Sequence, residues 1–192
     1  GIMCSDLGDA PDSDFNHYGV FTNTAYISPT VFGHFPTVWE GTPITQPAGP
    51  IHFDASQVWL GRWRSFEEEA DIGVDLDGIH NILEGGKDNA NNDQFDDGWL
   101  NRNVPFPDCR ETTLKVRISR EPGAPTGRMF LNVWFDGQHD GDWDDWRVCP
   151  DGDRKAFEWI VRDFVVDTSV ISGYQDFAVP TWLVMNTDPD AP

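Results

Sequence analysis

From Thr112 to Ser119 the chain alternates without a break. Leu114, Val116 and Ile118 fall on one side, and Thr113, Lys115, Arg117 and Ser119 on the other. A period of two is that of an extended strand with one buried face. After the turn-rich stretch Arg120-Glu-Pro-Gly-Ala-Pro-Thr-Gly127, the run Arg128–Asp136 sets Met129, Leu131, Val133 and Phe135 on one face, and Phe130 and Trp134 on the other. Apolar residues on both faces predict a central strand covered on both sides, and strand, turn, strand predicts a hairpin. In Ala156–Val166 the group Trp159-Ile-Val with Phe164 also fits a short helix, but β-branched and aromatic content favours a strand. Tyr174–Met185 predicts a last strand interrupted at Pro180, and so an edge or a bulge. Shorter extended pieces are expected at Gly19–Tyr26, Thr37–Glu40 and Ser56–Gly61. No segment has the pattern of a long amphipathic helix. The expected class is all-β: a two-sheet antiparallel β-sandwich with long metal-binding loops. Residues 1–55 are expected as an extended N-terminal segment packed on the sandwich and residues 56–192 as the sandwich itself, together one compact unit.

Charge adds a constraint that periodicity does not show. The chain holds 33 Asp/Glu against 13 Lys/Arg, a formal charge of -20. Such a charge repels nucleic acid and anionic membranes, so neither is an expected partner. No apolar stretch is long enough to span a bilayer, so membrane insertion is not expected either. The acid is concentrated: Glu67–Asp97 holds 11 Asp/Glu and one basic residue, Lys87. Asp, Asn and Gly outnumber Glu there, which suits loops better than the solvated face of a helix. A loop that long needs an ordering agent, and a divalent cation is one.

The most specific local pattern is Asp136-Gly-Gln-His-Asp-Gly-Asp-Trp-Asp-Asp145. Read as a calcium loop, Asp136, Gln138 and Asp140 take the alternating ligand positions and Gly141 the sharp bend. Asp142 then offers a backbone carbonyl, and Asp144 or Asp145 the later ligand. Arg147 stands where an EF-hand carries its bidentate Glu, and a strand rather than a helix leads in, so this is a DxDxDG-type loop on a β-scaffold. A second candidate set is Glu69, Asp71, Asp75, Asp77, Asp88, Asp93, Asp96 and Asp97. All-oxygen ligation points to calcium (Ca2+) rather than zinc or copper.

Other chemistry has less support. Paired carboxylates among Glu67, Glu68, Glu69 and Asp71 invite a glycosidase reading, but a Glu run more often supplies solvated surface. His17, His34, His52, His80 and His139 lie far apart without zinc-site spacing, and no nucleotide-binding or nucleophile-elbow fingerprint occurs. The protein is not expected to be an enzyme. Trp39, Trp59, Trp63, Trp99, Trp143 and Trp146 offer an alternative function, a carbohydrate-binding module with a glycan stacked on exposed rings. Of the three cysteines, Cys109 ends a Pro-rich turn and Cys149 follows the acidic loop. A Cys109–Cys149 disulfide is one reading; it leaves Cys4 free or bonded elsewhere.

Three segments together resemble the GEVED-type repeat modules of large bacterial secreted and surface proteins. Asp6-Leu-Gly-Asp-Ala-Pro-Asp-Ser13 resembles their DxGDAPDS opening. Val58-Trp-Leu-Gly61 with Glu69, Asp71 and the run to Gly98 is similar to their LG…DxExDG…DDEDG segment. Leu131-Asn-Val-Trp-Phe-Asp136, continued to Asp145, is similar to their NVWIDYNxDGDWDD strand and loop, and Asp163-Phe-Val-Val resembles the strand that follows. The resemblance spans nearly the whole chain. It implies an extracellular or cell-surface calcium-binding module of a bacterial adhesive or matrix assembly. Two departures stand out. Phe95-Asp-Asp-Gly-Trp lacks the extra Glu-Asp of the family's acidic turn, and the closing Gly-Glu-x-Glu-Asp segment has no counterpart before Pro192. The opening Gly-Ile-Met-Cys reads as that of a mature or excised fragment. A sandwich without its last strand is expected to recruit a neighbouring domain or another copy by strand complementation, making an oligomer.

Overall fold

A computed structural model describes residues 56–64, 98–152 and 154–185, together with 5–6, 15–16, 19–20, 24–26, 31–33, 35, 39–40, 46–47 and 52–53. The chain divides into two compact units. One comprises Gly1–Ser56, Trp63–Asp96 and His139–Asp142; the other comprises Gln57–Arg62, Asp97–Gln138 and Trp143–Pro192.

The first unit is described as short strands in antiparallel pairs. In chain order these are β1 (Ser5–Asp6), β2 (Phe15–Asn16), β3 (Gly19–Val20), β4 (Thr24–Tyr26), β5 (Val31–Phe32), β6 (Trp39–Glu40), β7 (Gln46–Pro47) and β8 (His52–Phe53). β1 pairs with β8, β2 with β3, β4 with β5 and β6 with β7.

The second unit is an all-β, sandwich-like fold. It contains β9 (Val58–Leu60), β10 (Arg110–Arg120), β11 (Arg128–Trp134), β12 (Trp146–Val148), β13 (Lys155–Phe157), β14 (Trp159–Asp167), a 3-10 turn at Thr168–Val170, and β15 (Tyr174–Leu183). One sheet has the order β15-β10-β9; β11 pairs with β14, and β12 with β13, all antiparallel. The alternation in β10 is realised as expected. Leu114, Val116 and Ile118 are buried and pack with Val58, Leu131, Val161, Val166, Ile171 and Val179 in one core. Full burial of a side chain such as Leu114 stabilises the fold by about 1.5–3 kcal/mol.

Three expectations change in the structure. β10 and β11 do not form a hairpin: β10 pairs with β15 and β9, and β11 pairs with β14. The connection carries two prolines and no two-residue primed turn, and it lets the strands enter different sheets whose apolar faces share the core. β11 is also not covered on both faces along its length, because Phe130 is 61% exposed. Finally, Pro180 does not interrupt β15, which runs unbroken from Tyr174 to Leu183. Pro180 stands opposite Thr113, whose carbonyl turns to the other side and accepts from Asn101 Nδ2 at 2.9 Å. The Thr113–Pro180 pair is therefore a non-hydrogen-bonded one, and the missing proline N–H is lost only from the outer edge.

Asn101 completes the opposite edge of β10. Its Oδ1 accepts from Lys115 N at 2.8 Å while its Nδ2 reaches the Thr113 carbonyl, so one carboxamide takes the place of a strand's peptide group. Near the first residues of β10, Cys109 and Cys149 form a disulfide with a Cα–Cα distance of 5.6 Å. Arg147 donates to Asp108 and to Cys109 Sγ, and Asp108 Oδ1 accepts from Met185 N at 2.8 Å. Disulfide and ion pair together tie the entry of β10 to β12 and to the chain just after β15.

Candidate metal centre

β11 delivers its chain to the Asp136–Asp145 loop and β12 carries it away. This segment has little apolar surface to fold around, so its shape depends on polar contacts and backbone conformation. Two residues in the left-handed region reverse the chain: His139 at φ 61° and Gly141 at φ 93°. Glycine is required at 141 for a second reason, since a Cβ there would lie 1.9 Å from the Phe32 carbonyl oxygen. At the base of the loop, a Cβ on Gly137 would lie 2.0 Å from the Val184 carbonyl oxygen.

The loop's base is held by a residue outside it. Glu158, 5% exposed, accepts from Gly137 N at 2.9 Å through Oε1 and from Asp145 N at 3.4 Å through Oε2. Its own N–H donates to the Asp145 carbonyl at 3.0 Å, and its carbonyl accepts from Phe135 N at 2.8 Å. One buried side chain and its peptide thus fix both ends of the loop. A buried carboxylate is tolerated when donors surround it, and two backbone N–H groups do so here. The sequence did not mark it: the apolar alternation of Phe157, Trp159 and Val161 sets Glu158 on the polar phase, whereas the structure buries it.

Three carboxylates converge in the loop. Asp140, Asp142 and Asp145 each present an oxygen, and the three oxygens lie within 4.8 Å of one another. Ligands held about 2.4 Å from a calcium ion lie no more than about 4.8 Å apart, so the separation fits a shared hard cation. Asp142 N bonds Asp140 Oδ1 at 3.4 Å, and Gln138 Nε2 donates to Asp145 Oδ2. Of the loop residues singled out in the sequence, Asp140, Asp142 and Asp145 are brought together. Asp142 contributes a carboxylate where the spacing assigned it a carbonyl. Asp136 is buried at the start of the loop and Asp144 is exposed, and neither is in the cluster; Gln138 is bonded to the cluster's Asp145. Glu69, Asp71, Asp75, Asp77, Asp88, Asp93, Asp96 and Asp97 lie outside the described residues, as do Glu67 and Glu68. The donor set in the cluster is oxygen only, which suits calcium or magnesium and gives zinc neither nitrogen nor sulfur.

The tryptophans are divided. Trp99 meets Phe106 as a tilted pair with ring centroids 5.5 Å apart, donates to Asn101 through Nε1 and packs against the core. Trp63 and Trp146 are exposed, Trp59 and Trp143 are half-buried, and the Trp39 side chain is outside the described residues. Among the described residues no helix is long and apolar enough to cross a membrane. Comparison with protein-family models, with curated proteins and with solved structures found no match for this chain.

Proposed function

We propose that this protein is an extracellular calcium-binding module that serves as a structural or adhesive unit of a bacterial surface or matrix assembly. The observation that carries the reading is the convergence of Asp140, Asp142 and Asp145 within one six-residue stretch. Three like charges so close repel one another unless a cation joins them, and their spacing matches a calcium shell. Glu158 supports the reading by fixing the backbone at the loop's base, that of the cluster residue Asp145 included. The Cys109–Cys149 bridge supports an oxidising, extracellular compartment. The resemblance to GEVED-type modules supplies the adhesive role and the bacterial surface, and it rests on the motifs alone. Edge pairing with a neighbouring copy is best accommodated at the Tyr174–Ala178 half of β15, since Pro180 removes a donor from the outer edge beyond it.

Metal analysis of the chelated and calcium-reloaded protein, paired with thermal melts, tests the proposal. Calcium that binds only the folded state raises stability by about 2.7 kcal/mol at a hundred times its dissociation constant. The Asp140→Asn/Asp142→Asn variant is expected to lose most of that shift while melting near the chelated wild type. A melt indifferent to calcium and chelator would sink the metal reading.

A further inference from the structure

The outward side of the β13–β14 chain carries a second constellation, unrelated to the acidic loop's chemistry. Trp134 and Trp159, directly opposite in the β11–β14 pair, stack with ring centroids 5.2 Å apart. The Arg162 guanidinium sits over Trp159 at 4.6 Å and over Phe157 at 4.7 Å. Phe157 stands opposite Trp146 in the β12–β13 pair, and Lys155 Nζ lies 3.9 Å over the Trp146 ring. At the other end, Phe130 and Val165 are cross-strand partners, 61% and 50% exposed. Outward positions on one strand recur about every 7 Å, so this is an extended ribbon two strands wide rather than a pocket.

Two features say what would lie on it. The first is charge. Among the described residues no carboxylate pairs with Arg162 or Lys155, although the chain carries 33 acidic groups. Residues 98–185 hold 10 Lys/Arg against 14 Asp/Glu, so most of the -20 charge lies elsewhere in the chain. Both cations are exposed and lie beside rings, and an exposed cation receives a carboxylate by a charge-assisted hydrogen bond. The second is the apolar surface. A run of Asp side chains would meet the cations but leave the exposed apolar surface of Phe130, Val165 and Trp146 in water. A chain of uronic acid sugars brings both in each unit: a C–H face to lie on an aromatic ring and a carboxylate for a cation.

We propose that the outward ribbon formed by β12–β13 and β11–β14 binds an acidic polysaccharide, a chain of hexuronate units. The cations supply charge complementarity, and exposed Phe130 and Trp146 supply apolar area for the sugars' C–H faces.

Titration calorimetry of the whole chain with hexagalacturonate, in chelator, tests this independently of the calcium reading. Wild type is expected to bind, to bind more weakly as salt rises, and to ignore the neutral probe cellohexaose. Arg162→Gln is expected to weaken binding about tenfold, the loss of one charge-assisted pair. Lys155→Gln and Phe130→Ser, both at exposed positions, are expected to weaken it about threefold to tenfold with an unchanged melt. Should Arg162→Gln fail to fold, those two variants decide the matter. Absence of hexagalacturonate binding, equal binding of cellohexaose, variants that bind as wild type does, or tighter binding of a synthetic peptide spanning residues 67–97 would each overturn the proposal.

Discussion

The sandwich around β10 and the Asp136–Asp145 loop are both well-formed parts of one chain, but they are held by different physics. In the sandwich, alternating Leu114, Val116 and Ile118 meet Leu131, Val161 and Val179, and stability comes from apolar area removed from water. In the loop the buried residues are Asp136, Gly137 and Gly141, and its base depends on Glu158. Burial of apolar surface is spread over many contacts and insensitive to ions. A polar loop rests on hydrogen bonds and on its charge state, so it is where the surroundings can act. Secondary structure responds to the first kind of force and functional chemistry uses the second.

The contrast can be broken experimentally, beginning with the sandwich. Leu114→Ala is expected to cost about 2–5 kcal/mol, read as a lower urea midpoint, because a fully buried side chain leaves a cavity. A loss well under 1 kcal/mol would show that the core does not carry the fold. Replacing both Cys109 and Cys149 by Ala should cost about 2–4 kcal/mol, since the bridge closes a 40-residue separation. Here the melt is expected to fall with the shape of the unfolding transition retained.

Glu158→Ala probes the loop alone. It leaves the Gly137 and Asp145 amides without their acceptor, a cost of about 1–3 kcal/mol for each donor that stays buried. Hydrogen exchange should speed at those amides and stay slow along β10. Equal loss of protection in both regions would mean that loop and sandwich are one cooperative unit, and the comparison would fall.

The smallest effect belongs to the outer face of β10 and β15. The hydrogen bond from Arg117, at 2.7 Å and 2.9 Å to the two oxygens, holds the Asp176 carboxyl below the ordinary aspartate range. The pair is largely solvent-exposed, so screening keeps its worth to under about 1 kcal/mol. Because the folded-state pKa is the lower one, this contribution is present above the unfolded value. It fades as pH falls through the folded value. Arg117→Met should move the Asp176 titration, followed by carboxyl NMR, back toward that of a free aspartate. Asp167 is lowered by its bonds from Ser169 and should not respond to that change.

Much of the sandwich was legible in the sequence because period-two alternation is a local consequence of strand geometry. The strand at 112–119, the strands within 156–166 and the last strand all lie where the pattern puts them. The disulfide was one of several open pairings, and only the fold brought Cys109 and Cys149 together. The partnering of strands was illegible. β10 and β11 adjoin in sequence with a turn between them, but which sheet each enters depends on where their apolar faces find a core. At the candidate site, spacing marked Asp140 as a side-chain ligand, Asp142 only through its carbonyl, and Asp145 only as one of two choices with Asp144. Glu158 was not visible, since its partners come from a loop more than ten residues away.

The sequence by itself determined the all-β class, the inward faces of the strands and an acidic loop that bends at Gly141. These are set by neighbours along the chain, through side-chain alternation and backbone conformational freedom. The tertiary structure decided which strands pair, that Pro180 sits harmlessly at an outer edge, that Glu158 closes the loop, and that Arg162 lies on two rings. Each of these depends on groups distant in sequence meeting at hydrogen-bonding or stacking range, which no local pattern specifies.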